Sequence, residues 1–188
     1  MKICLFGSGS NEVDEKYLKL GYELGQMIAD NNHCLVFGGG NDGMMGSVAR
    51  GVADNDGFIQ AIIPDWMTRF ERLFNECDNI IYTRSMDERK KKFIKKSDAF
   101  IITAGGIGTL DEVFEVITLK KLRCHNKPII ILNAYNFYDP LLSMIDDMIK
   151  ENTIPENNRD LFYVVDTVDE VFEYLDGYDF ENDDVYDI

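Results

Sequence analysis

The chain has 188 residues, 45% hydrophobic and 28% charged, enough for one domain with a substantial core and too apolar for a disordered segment. A formal charge of −15 excludes the clustered Lys and Arg of a nucleic-acid surface. Nor does any apolar run approach the ~20 residues of a membrane span.

In chain order, Lys2–Phe6 reads as a first strand, with no signal peptide ahead of it. It runs into Gly7-Ser8-Gly9-Ser10-Asn11, and Asp14–Asp30 then has helical spacing. Cys34–Phe37 reads as a second strand, followed by Gly38-Gly39-Gly40-Asn41-Asp42-Gly43 and a helix over Met44–Asn55. Strands over Phe58–Ile63 and Asn79–Tyr82 flank Pro64–Glu76, a segment without clear period that is read as a short helix walling the site. Next come a helix over Asp87–Lys96, a strand over Ala99–Thr103, a helix over Leu110–Leu122 and a strand over Pro128–Leu132. A helix over Tyr138–Glu151, a strand over Phe162–Val165 and a helix over Val168–Leu175 complete the pattern. The alternation predicts an α/β fold: one doubly wound, Rossmann-like domain over 1–176, with a mostly parallel sheet of about seven strands and helices on both faces. Residues 177–188 read as an acidic, solvated C-terminal tail.

The four cysteines form no CxxC pair, and His33 and His125 are too scattered for a metal site, so a reduced, cytoplasmic protein without metal or cofactor is expected. In a doubly wound sheet the ligand sits beyond the strand carboxyl ends. Three loops qualify there, at Gly7, at Gly38 and at Ala104, and together they suggest one nucleotide-sized pocket. Thr103-Ala104-Gly105-Gly106-Ile107-Gly108-Thr109-Leu110-Asp111-Glu112 carries the most information. A strand, a glycine-rich turn and a helix start in succession leave unpartnered N–H groups for a phosphate. Asp111 and Glu112 in the first turn repel a phosphate, which points to chemistry beside the anion as well as binding. Gly38–Gly43 fits GxGxxG after a strand; alone it serves equally as a tight turn for helix packing or as a ligand contact. Arg84-Ser85-Met86-Asp87-Glu88-Arg89-Lys90-Lys91-Lys92 is the basic cluster of this acidic chain. Arg89 and Lys90 fall at the sheet end that can reach an anionic substrate, and the Arg fork can pair two oxygens.

Together these residues resemble the Lonely Guy (LOG) family of cytokinin-activating phosphoribohydrolases, some of whose relatives carry the older label "lysine decarboxylase-like". The family signature PGGxGTxxE reads Ala104-Gly105-Gly106-Ile107-Gly108-Thr109-Leu110-Asp111-Glu112, with alanine in place of the proline. A Met-x-x-Arg-Lys run matches Met86–Lys90, GGGxxGxMG matches Gly38–Gly46, and Phe6-Gly7-Ser8-Gly9-Ser10 resembles the first phosphate-side loop. The agreement in order and spacing runs from residue 2 to about residue 175.

The resemblance implies hydrolysis of the N-glycosidic bond of an adenosine 5′-monophosphate, N6-modified or plain, to free base and ribose 5-phosphate. It makes Glu112 and Arg89 catalytic. It places Gly7, Ser8, Gly39, Gly40, Lys90 and the run Gly105, Gly106, Ile107, Gly108, Thr109, Leu110 and Asp111 against the substrate. Thr118 then borders the pocket, and Glu71 is the substrate-contacting glutamate on its spacing to Arg89, though it equally suits a surface position. A homodimer is implied as well, for which Leu110, Val113, Phe114, Ile117 and Leu122 offer an apolar face that would equally pack on the sheet. The alternative is a nucleotide sensor with the same pocket and no turnover. An NAD-dependent oxidoreductase is disfavoured by the misplaced GxGxxG. A pyridoxal-phosphate decarboxylase is disfavoured because the sequence offers no candidate for its Schiff-base lysine.

Overall fold

A computed structural model describes residues 1–180; the part of the expected acidic tail from residue 181 onward lies outside the described residues. Seven parallel strands form one sheet. They are β1 (Lys2–Phe6), β2 (Cys34–Phe37), β3 (Phe58–Pro64), β4 (Asn79–Thr83), β5 (Ala99–Ile102), β6 (Ile129–Leu132) and β7 (Tyr163–Val165). Their order is β4-β3-β2-β1-β5-β6-β7. Among the described residues five α-helices link them, α1 (Glu15–Asp30), α2 (Gly43–Ala53), α3 (Met86–Lys96), α4 (Ile107–Lys121) and α5 (Asp139–Lys150), and α6 (Val168–Asp176) follows β7. This is the doubly wound fold that the alternation predicts.

The strands read as continuous apolar runs because both faces are covered, and their period of two divides the side chains between two cores. Ile3 and Leu5 of β1, Ala99 and Ile101 of β5 and Ile130 and Leu132 of β6 pack with Leu24 and Ile28 of α1, Val48 and Val52 of α2 and Val171 and Phe172 of α6. Cys4 and Phe6, Phe100 and Ile102, and Ile129 and Ile131 point the other way. They meet Phe93 of α3, Val113 and Val116 of α4 and Leu142 and Ile145 of α5. A methyl group on Gly25 of α1 would lie 2.1 Å from the Val48 carbonyl, so α1 and α2 touch backbone to backbone. That contact sets the start of α2 beside the loop after β1.

Pro64–Glu76 contains a short 3-10 helix, Asp65–Arg69. The chain then turns back, and Leu73 forms an antiparallel bridge to Gly40. No helix among the described residues is long and apolar enough to cross a membrane.

Candidate active site

From β1 the chain winds outward through β2, β3 and β4, then returns to place β5 on the other side of β1. The carboxyl ends of β1 and β5 therefore flank the crevice where strand order reverses. The two loops there are stitched together. Ser8 N–H donates to Ala104 O at 3.0 Å, and Thr103 donates to Phe6 O through its N–H at 2.9 Å and its hydroxyl at 3.2 Å. The Tyr138 hydroxyl, from the turn after β6, donates to Thr103 O at 2.8 Å. The loop after β2 joins the same floor, with Met45 N–H donating to Ser8 O at 3.1 Å. Gly43 sits at φ +62°, and a methyl group there would lie 2.6 Å from Ser8 O. That glycine is required by the packing of one loop on another, as in the tight-turn reading of Gly38–Gly43. On its far side this loop is crossed by the Pro64–Glu76 segment, through Asn41 N–H to Arg72 O at 2.8 Å and Phe74 N–H to Gly39 O at 2.9 Å.

The start of α4 is different. Gly106 is its N-cap and no side chain caps it; the first backbone bond runs from Leu110 N–H to Gly106 O at 3.0 Å. Side chains of Asp14, Ser85 and Thr167 cap α1, α3 and α6, whereas α2 and α5 share with α4 the lack of a side-chain cap. A methyl group on Gly106 or Gly108 would meet nothing within 4 Å. The fold itself leaves that space beside first-turn N–H groups and the positive end of the helix dipole, the setting that suits an anion. Gly105 packs against the Thr109 side chain, which is buried, while Ile107 is 88% exposed.

Arg89, 6% exposed, is fixed by backbone oxygens: Nε donates to Ile62 O at 3.1 Å and Nη2 to Gly38 O at 3.2 Å. Its Nη1 lies against the Met67 and Met86 sulfurs, and its guanidinium sits 5.2 Å from the Phe93 ring centre. No carboxylate comes within the 4.0 Å of an ion pair among the described residues, so the cation is held rigidly with its charge uncompensated. Glu112 faces the same region from α4. Burial pushes its carboxyl up to about 7, and the nearby Arg89 charge only partly offsets this. Asp111 and Glu115 push it further up, and Lys90 pulls it down.

Lys90 spans the gap between α3 and α4, with its ammonium 3.2 Å from Asp111 Oδ2 and 2.6 Å from Glu115 Oε2. Asp111, expected against the substrate, thus has a protein partner in Lys90. Glu71 is exposed within the Pro64–Glu76 segment. Thr118 is exposed on α4, six residues and roughly 9 Å along the axis from Glu112. Two contributors were not singled out from the sequence, Tyr138 and Glu115. Glu115 had a usable signal, because it lies four positions after Asp111 and so shares its face. Tyr138 had none, since its partner is a backbone oxygen on another strand.

Residues 45–175 match the family model described as "Possible lysine decarboxylase". A cytokinin riboside 5′-monophosphate phosphoribohydrolase of Arabidopsis thaliana is 34% identical over 177 residues, covering 94% of this chain and 82% of that protein. The enzyme of the same name from Oryza sativa subsp. japonica is also 34% identical over 177 residues, covering 94% of this chain and 73% of its own length. Among solved structures, the molybdenum cofactor binding protein from Rippkaea orientalis superposes with a TM-score of 0.73 at 24% identity, over 93% of this chain and 94% of that one. That last likeness concerns the fold alone. The sequence relatives reach across the three loops, Arg89 and the start of α4, and the chain belongs to the Lonely Guy family of phosphoribohydrolases.

Proposed function

We propose that this crevice hydrolyses the N-glycosidic bond of an adenosine 5′-monophosphate, with or without an N6 substituent, giving free base and ribose 5-phosphate. The observation that carries the reading is a buried cation and a carboxyl pushed up to about 7, set beside an uncapped, glycine-lined helix start. The N–H groups from Gly105 to Thr109 would hold the 5′-phosphate, anchoring the sugar so that binding energy orients the reacting bond. As the bond from C1′ to the base breaks, its electron pair leaves with the base and positive charge develops on the ribose ring. Ionised Glu112 would face that charge in a site of low dielectric and accept the proton of the water whose oxygen bonds to C1′. The departing base would gain a proton in return. Arg89, its geometry fixed by Ile62 O and Gly38 O, would exchange the weak contacts of Nη1 with the Met67 and Met86 sulfurs for substrate oxygens. The lysine beside this crevice fits decarboxylase chemistry poorly: Glu115, then Asp111, hold the Lys90 ammonium in its charged form, which is no nucleophile.

We also propose that the protein works as a homodimer. Ile107, Phe114 (40% exposed) and Leu122 at the C-cap (57% exposed) leave an apolar face on α4, while Val113 and Val116 are buried against the sheet and Leu110 and Ile117, expected on the dimer face, are partly buried against the same core.

The test is release of free base from AMP and from N6-isopentenyl-AMP, followed by chromatography, with Glu112→Gln as the control. Base and ribose 5-phosphate are expected only with the unaltered chain. Tight nucleotide binding without release from either compound would overturn the hydrolase in favour of a sensor.

A further inference from the structure

Glu115 lies about one turn beyond Glu112 on α4, and its Oε2 is buried. The one cation on that oxygen is the Lys90 ammonium, 2.6 Å away, and the same ammonium reaches Asp111 Oδ2 at 3.2 Å. Glu112, Glu115 and Lys90 border one small void, closed by Phe6, Phe93 and Val116. The charged and titratable groups around Glu112 are therefore Arg89 and Lys90 from α3, Asp111 and Glu115 from its own helix, and the Cys4 thiol from β1, which burial keeps neutral.

We propose that Glu115 is a positioning residue of the reaction: it draws the Lys90 ammonium onto its own side of α4 and thereby withholds that charge from Glu112. The proposal rests on the hydrolase reading for its kinetic consequence but not for its electrostatic one. Lys90 and Arg89 are neighbours at the start of α3. Without Glu115, Lys90 would keep only the exposed Asp111 carboxylate as a partner, and more of its charge would join that of Arg89 in holding Glu112 ionised. With Glu115 in place, one cation is occupied, and Glu112 exchanges a proton near neutral pH, where a group that takes a proton from water and returns it is most effective. Removing the Glu115 charge acts on Glu112 in a single direction, because a repelling carboxylate is lost and the attracting ammonium, left with Asp111 alone, is held away less firmly.

The experiment follows the Glu112 side-chain carboxyl by 13C NMR in the full chain labelled at glutamate, assigned by its absence in Glu112→Gln. Glu115→Gln is expected to raise the acid dissociation constant of Glu112 on the order of tenfold. Glu115→Asp, which keeps the charge, should restore most of the original value. The acidic limb of kcat/KM should move to lower pH in step. An unchanged Glu112 titration in folded Glu115→Gln would overturn the proposal. Should that variant not fold, Glu115→Ser takes its place with the same expected rise, and an unchanged titration is again contrary. If the unaltered protein hydrolyses nothing, the functional reading fails while the NMR comparison still decides the role of Glu115.

Discussion

Arg89 and Glu112 carry opposite charges into one crevice without forming an ion pair, because the guanidinium is already bound to two backbone oxygens at the ends of β2 and β3. An arginine free to rotate would collapse onto the carboxylate, and both charges would be lost to the substrate. The cost falls on Glu112, whose ionised form is poorly compensated. Its carboxyl binds a proton more tightly in the folded chain than at its ordinary value of 4.5. Its contribution to stability is therefore fully present below pH 4.5 and lost as pH rises through about 7. Glu112→Gln removes this loss. At pH 8 the variant should be more stable by on the order of 1–3 kcal/mol in denaturant unfolding, and hydrolysis should fall by roughly 10²–10⁴-fold. A variant as active as the parent would eliminate Glu112 from the chemistry. Arg89→Lys keeps the charge but not the fork. It leaves the carbonyls of Ile62 and Gly38 short of donors, at about 1–3 kcal/mol in unfolding free energy. Turnover should drop at least as far as the melting temperature shows, with no rescue on changing pH.

At the scale of the element, two glycines at helix starts separate packing from binding. Gly43 opens α2 at φ +62° against the backbone of Ser8, so Gly43→Ala should lower the melting temperature markedly. Gly108 lies in the first turn of α4 with open space where a side chain would go. Gly108→Ala should therefore stabilise the fold by about 0.5–1 kcal/mol through helix propensity, yet weaken AMP binding at least tenfold because the methyl group takes up phosphate space. Measured in the Glu112→Gln background, calorimetric titration and thermal melting should move in opposite directions. Unchanged affinity for AMP would mean that the phosphate sits elsewhere. Elements of this kind differ in how well the sequence announces them. Every strand core was legible, because a sheet covered on both faces forces uninterrupted runs such as Ile129–Leu132. The start of α4 was placed at Leu110, whereas the helix begins at Ile107; glycines in a first turn carry no helical signal even where the backbone is helical. Pro64–Glu76 stayed ambiguous for a related reason. Its anchors are backbone bonds from Asn41 to Arg72 and from Phe74 to Gly39, which no side-chain pattern reports. In the site, motif residues were legible as a set, but the carbonyls of Ile62 and Gly38 that hold Arg89 are invisible in a sequence.

For the whole molecule, the question is what covers α4. The core beside the sheet takes Val113 and partly covers Leu110 and Ile117, so the sheet-packing reading accounts for those three and leaves Phe114 and Leu122, together with Ile107, in water. A contact between two copies through this face would bring both crevices to the boundary, since Ile107 adjoins the phosphate end of the helix. Opposing it, each chain carries a formal charge of −15, and two like-charged bodies repel over a Debye length of ~10 Å at 0.1 M salt. Attraction through apolar area is nearly independent of salt, whereas the repulsion is screened by it. Association should accordingly tighten as salt rises from roughly 20 mM to 200 mM, the reverse of an interface held by ion pairs. Sedimentation equilibrium at micromolar chain concentration is expected to show a dimer, with a dissociation constant that falls along that series. Phe114→Asp combined with Leu122→Asp should give a folded monomer, because two carboxylates would then be buried without partners at the centre of the contact. A parent protein that sediments as a monomer throughout would remove the dimer from the account and leave the apolar face of α4 to another partner. A dimer that survives the double substitution would move the interface to a different face of the sheet.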